Sequence, residues 1–240
     1  MLYNAGRVLL NSAPLNHYKS FQAWVPLSTT TSPAPRHPTM ETTSNQADNL
    51  ERLLADNFTT WGFEIYRTTY ASDADWRIFM ALFLDQAKRS LKFYNGLDLL
   101  DTFALAVFEH DAFNRAPTAI IRAHFNRWAR TAIHQEQGLP LDSQYYPHSG
   151  RYRFLVMVDQ EALESVSTMP YPNRSRTSFV RLVNGEWEPE LLDEEVLEAL
   201  GGPPEEFEPL EGCTLKDVGW MKVPYDEVEF SVFVYMCDSN

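Results

Sequence analysis

Between residues 61 and 66 apolar and smaller or polar positions alternate, with Trp61, Phe63 and Ile65 set against Gly62, Glu64 and Tyr66, the period-two pattern of a β-strand. The period then changes. Ser72 and Asp75 form a capping pair, and behind them Trp76, Phe79, Met80, Phe83, Ala87 and Leu91 recur at helical spacing, predicting a helix over 73–94 that stops at Asn95-Gly96. Residues 102–109 (TFALAVFE) are apolar at both parities, which suits a short strand covered on each side. Pro117 opens a second helix with the stripe Ile121, Phe125, Trp128 and Ala132, ending before Gly138. Residues 151–159 (RYRFLVMVD) predict a third strand, 160–166 a short helix, and 178–184 a fourth strand that turns at Gly185. Further on, Leu192, Val196 and Leu200 mark a short helix over 191–200, and 218–223 and 229–236 predict two closing strands.

Helix and strand alternate along this order, with an additional helix between the second and third strands. Short connections and right-handed crossovers leave few assemblies. The simplest is an α+β, ferredoxin-like (split βαβ) sandwich with an inserted helix and a C-terminal strand extension, its helices on one sheet face and the other face open. A doubly wound parallel sheet is the alternative. By parity Glu64 and Arg67 fall on opposite faces, so one of them lines the open face beside Tyr66. Trp76, Phe83, Phe125, Trp128, Phe154 and Val156 are the expected core.

Composition adds an organisation and several exclusions. The chain has 240 residues, 44% of them hydrophobic, enough to build a core, and no stretch long and apolar enough for a membrane-spanning helix. Its formal charge is 20 − 33 = −13, a background field that repels polyanions, so nucleic acid is not an expected partner. Residues 1–40 hold Arg7, Lys19 and Arg36 and no acid, whereas the rest carries all 33 acids against 17 bases (20 − 3). That boundary divides the chain into a leader or targeting segment (1–49), an α+β domain (50–185), and an acidic arm with C-terminal strands (186–240) packing on the same domain. From Glu186 to Glu211 there are 11 acids and no base. Cys213 and Cys237 match no zinc or redox spacing and point to a reducing compartment, the cytoplasm, or the mitochondrion if 1–40 is a presequence. A bridge between the two cysteines across a hairpin stays open.

The motifs of phosphate-cradling loops, dinucleotide folds, nucleophile elbows and zinc proteases are all missing. Two groups carry candidate catalytic chemistry. His110, between Glu109 and Asp111 at the end of the second strand, has the flanking carboxylates that raise an imidazole pKa for acid/base work. Glu194, Glu195 and Glu198 stand three to four residues apart, so that on a helix their carboxylates converge as a general base or around a divalent ion. His124, His134 and His148 have no ligand spacing, and no metal or cofactor is expected.

Residues 61–70 (WGFEIYRTTY), together with RYRFLVMVD, LVNGEWEPE and the segment EGC…DVGWMKV ending at Val223, resemble a large set of fungal proteins of unassigned function. The resemblance covers about 57–223 and implies a filamentous-fungal origin and an intracellular globular domain. A second one is narrower. Glu194-Glu195-Val196-Leu197-Glu198 is similar to the Asp-Asp-x-x-Glu motif of the arginine-containing cyclodipeptide synthases of specialised metabolism, with glutamate in place of both aspartates. It implies aminoacyl-tRNA as substrate and partner. From the residues themselves the expected function is a non-catalytic module that binds a small molecule or a protein partner through the open sheet face and the acidic arm; the synthase is the enzyme alternative.

Overall fold

In a computed structural model, which describes residues 45–56, 58–138, 140, 149–170, 177–188, 210 and 217–238, the alternation around Ile65 becomes the hinge of a mixed sheet. Strand β1 (Glu64–Arg67) runs parallel to β2 (Val107–Phe108) on one side and to β3 (Phe154–Val158) on the other. Strand β4 (Phe179–Asn184) pairs antiparallel with β3, and β5 (Trp220–Pro224) antiparallel with β4, giving the order β2-β1-β3-β4-β5. The α+β class expected from the sequence is what the fold shows.

Helices lie on both sheet faces, which corrects the expectation of helices on one face only; toward β5 the second face is partly exposed at Lys222 and Pro224. One face carries Ile65, Val107, Val156, Val158, Val180, Leu182 and Val223 beneath helices α1 (Gln46–Asp56), α2 (Asp73–Phe93) and α5 (Gln160–Ser167) and the C-terminal segment. The other carries Tyr66, Phe108, Leu155, Met157 and Val183 beneath Ile121, Phe125, Ala129 and Ile133 of α3 (Thr118–Gln137). The physical reason lies in the route of the chain. It travels outward from β1 to β2 through α2, then back past β1 to β3 through α3. A right-handed crossover taken in opposite directions across one sheet puts its helix on opposite faces. The first half is therefore wound like the doubly wound alternative, and only β4 and β5 return antiparallel. At 20 residues α3 is a full crossover helix.

Local signals explain the helix limits. Ser72 Oγ accepts the Asp75 amide at 3.2 Å and Asp159 Oδ1 that of Ala162 at 2.9 Å, while Gly138, at φ 63°, ends α3 in the left-handed conformation. Residues 229–236, expected as a strand, instead lie in a π-helical turn (Val228–Val232) continuing into α6 (Phe233–Asp238); α4 is the single turn Gly150–Arg153. A short run rich in valine and aromatics does not distinguish strand from buried helix by itself. Tertiary packing decides: Phe233 meets Phe58, Trp61 and Phe63 at ring-centroid distances of 6.2, 5.9 and 5.0 Å. Of the expected core residues Trp76, Phe83, Phe125 and Val156 are buried, and Trp128 and Phe154 partly so.

Candidate functional site: a cleft at the carboxyl ends of β1 and β3

Strands β1 and β3 are neighbours, yet the chain leaves them in opposite directions, from β1 toward β2 and from β3 toward β4. Where adjacent parallel strands send their connections apart, a crevice opens beyond their carboxyl ends. Here it is a cleft of about 710 Å³ built by three segments: Thr68 to Ala71 after β1, Asn114 to Pro117 before α3, and Met157 to Glu161 at the end of β3. That volume suits a small molecule.

The three segments are stitched together by hydrogen bonds. Thr68 donates its amide (3.0 Å) and its hydroxyl (3.1 Å) to the Val158 carbonyl, and its own carbonyl accepts the Arg115 amide at 2.9 Å. Thr69 Oγ1 donates to Gln160 Oε1. Behind this wall Arg67, buried, donates from Nε to the Thr69 carbonyl at 2.8 Å and from Nη2 to Asp73 at 2.6 Å, and lies over the rings of Tyr70 and Trp76. Trp76 Nε1 donates to Glu109 at 2.6 Å. The Tyr70 hydroxyl accepts the His110 amide at 2.7 Å and donates to the His110 carbonyl at 3.0 Å; burial pushes its pKa up. The acids of the lining are likewise engaged. Asp159 pairs with Arg181 at 2.7 Å and Glu161 with Lys222 at 2.6 Å.

The residues singled out from sequence do not assemble here. His110 caps the short turn Asp111–Phe113, its Nδ1 accepting the Ala112 amide at 3.1 Å, and its flanking Glu109 is turned to Trp76 and Arg67. Its position at a strand end is as expected; a turn cap is what the ring does there. Glu194, Glu195, Glu198, His148 and Cys213 lie outside the described residues. Glu64 and Arg67 do occupy opposite faces, but each is buried under helices, so neither lines an open surface. His124 on α3 shares a 2.8 Å hydrogen bond between Nδ1 and the Tyr66 hydroxyl; burial, with Arg127 and His110 nearby, holds its pKa down to about 4. Among the described residues no group of three or more His, Cys, Asp or Glu side chains is arranged to hold a metal ion, and no helix is long and apolar enough to cross a membrane.

At the opposite end of the sheet an ionic hub escaped the sequence reading. Arg151, 2% exposed, meets Glu64 Oε1 at 2.6 Å, grips Glu136 with two bonds of 2.7 and 2.8 Å, and donates to the carbonyls of Gly62 and Ala104 at 2.9 and 2.5 Å. Tyr152 and Gln137 extend the network, the Tyr152 hydroxyl donating to Glu136 and accepting from Gln137, both at 2.8 Å. Two acids share one guanidinium, and only one of them, Glu136, reaches water. Burial pushes the Glu64 carboxyl up to about 8 despite the pull of Arg151. The hub ties the amino ends of β1 and β3 to the C-terminal end of α3.

The fold and the cleft together define an α+β protein with a ligand-sized crevice at the carboxyl ends of parallel strands. No protein-family model, curated protein or solved structure matches the chain.

Proposed function

We propose that this protein binds a small polar molecule in the cleft between β1 and β3. The observation that carries the reading is the coincidence of a 710 Å³ cleft with the point where the chain diverges from two parallel strands. With helices packed on both sheet faces, the cleft takes the place of the expected open face as the proposed ligand surface. Binding rather than catalysis is favoured by the use the lining makes of its ionisable groups. Asp159 and Glu161 are neutralised by Arg181 and Lys222, and the Tyr70 hydroxyl is held by backbone. The compartment that fits two cysteines in 240 residues is the reducing cytoplasm.

The test is a small-molecule extract titrated into isotope-labelled protein and followed by amide NMR. Ligands are expected to move the resonances of 68–71 and 159–161, and Ala71→Trp, which fills the mouth of the cleft, is expected to abolish the response. Shifts confined to other regions, or a response that survives Ala71→Trp unchanged, would refute the reading.

A further inference from the structure

We propose that the cleft's ligand carries an anionic group, a carboxylate or a phosphate, and that Arg115 is the residue that receives it. The inference rests on the cleft being a binding site and concerns the chemistry of its occupant. Charge balance within the lining carries it. Of the three charged side chains that line the cleft, the two acids are matched by cations on β4 and β5, namely Asp159 by Arg181 and Glu161 by Lys222. Arg115 is not matched: among the described residues no carboxylate pairs with its guanidinium. Arg67, buried behind the same wall, is consumed by Asp73 and Glu109. The cleft thus presents one uncommitted positive charge in a chain whose net charge is −13.

That charge stands on a firm base. The Arg115 amide is bonded to the Thr68 carbonyl at 2.9 Å, and the residues on either side are bonded back into the turn, Asn114 to Asp111 at 3.1 Å and Ala116 to Phe113 at 3.0 Å. The side chain therefore projects from a backbone held against the cleft wall, which lowers the ordering cost of gripping a ligand. Pro117, at the cap position of α3, supplies no side-chain acceptor, and the first turn of α3 has no acid. A planar guanidinium matches carboxylate and phosphate oxygens equally well through paired N–H donors, so either headgroup satisfies the geometry.

The probes are inorganic phosphate and succinate, with neutral succinamide as control, titrated into the full chain and followed by amide NMR at 68–71, 114–116 and 159–161. At least one of the two anions is expected to shift these resonances while succinamide does not. Phosphate acting alone identifies a phosphate ligand; succinate acting alone identifies a carboxylate. Arg115→Gln is expected to weaken the active anion by about tenfold or more, with Arg115→Lys retaining part of the affinity. Arg115 is exposed, so neither variant removes a core contact. The inference fails if neither anion shifts the cleft or if Arg115→Gln binds as tightly as wild type. A ligand from the extract that binds in the cleft with equal affinity to wild type and Arg115→Gln would overturn the anion assignment and leave the binding reading intact. An extract giving no response at the cleft, alongside a clear anion response at 114–116, would do the reverse.

Discussion

Glu64 gives the sharpest prediction because its environment fixes the sign of a pH effect. Its carboxyl is wholly buried, shares Arg151 with Glu136, and has its pKa raised from 4.5 to about 8 by loss of hydration. The folded state therefore binds a proton that the unfolded chain releases above pH 4.5, and stability must fall as pH rises from there to about 8. Glu64→Gln keeps the shape of the protonated acid and removes the titration. A shift of 3.5 (8 − 4.5) at about 1.36 kcal/mol each bounds the effect at about 5 kcal/mol. The variant is expected to match wild type near pH 4.5 and to become progressively more stable than it as the medium turns alkaline, the gap levelling off above about pH 8. Urea denaturation monitored by circular dichroism, run on both proteins across that range, reads the difference directly, and other titrating groups cancel from it. A gap independent of pH would mean that Glu64 ionises in the fold as it does in water; a variant less stable at every pH would mean that its ion pair with Arg151 outweighs its burial.

Two further outcomes follow from the same chemistry. Arg151→Met removes the guanidinium that grips Glu136, satisfies two carbonyls and contacts buried Glu64, and is expected to lower unfolding free energy by about 3–5 kcal/mol in the same denaturation assay, with Arg151→Lys recovering little because an ammonium cannot reproduce the paired grip on Glu136. His124, its pKa held near 4, binds no proton in the fold where the unfolded chain, titrating at 6.5, does, so it subtracts stability as pH falls through that window; its ring resonances in an NMR titration should stay those of neutral imidazole at pH 5.5 (roughly midway between the two values), and a midpoint at 6.5 would show the ring to be solvated.

The parts of this fold that could be read from sequence are those in which one segment determines its own partner surface. The stripe from Trp76 to Leu91 is α2, and five of the residues that predict it besides Trp76 itself are buried. Helix α1 left a comparable trace, Ala47 and Leu50 with Leu53 and Leu54, but its polar surroundings masked the signal. What could not be read is which face a helix covers, since periodicity gives a helix an apolar side and says nothing about the direction in which the chain then crosses the sheet. Strand β2 is the case in point. Residues 102–109 look like one strand covered on both sides, and that covering is real, yet the pairing is broken in two: Phe103 makes a lone parallel bridge to Trp61 at the exit of a 3₁₀ turn over Leu97–Thr102, and the strand proper is only Val107 and Phe108. The hub was out of reach for a different reason. Arg151 heads a segment that reads as a strand, and its partners come from β1 and from α3, so nothing local marks it.

The two ends of the parallel strands β1 and β3 now have opposite characters with a common cause. At their amino ends Gly62 and Arg151 lead into β1 and β3 beside Ala104 on the way to β2, and one guanidinium satisfies the two carbonyls there and pairs with Glu64 and Glu136. Gly62 sits at φ 107°, a conformation costly for other residues, and a Cβ there would lie 2.6 Å from the Phe103 ring, so this end is closed by packing as well as charge. At their carboxyl ends the outgoing chain must diverge, and the ends of two strands cannot be covered by segments that lead away from them. Three hydrogen-bonded segments bound the resulting gap instead of filling it. A rigid, closed end holding the sheet and an open end walled by stitched loops is the division of labour that sets a cleft at one end of the sheet, and it follows from strand order once β1 lies between β2 and β3.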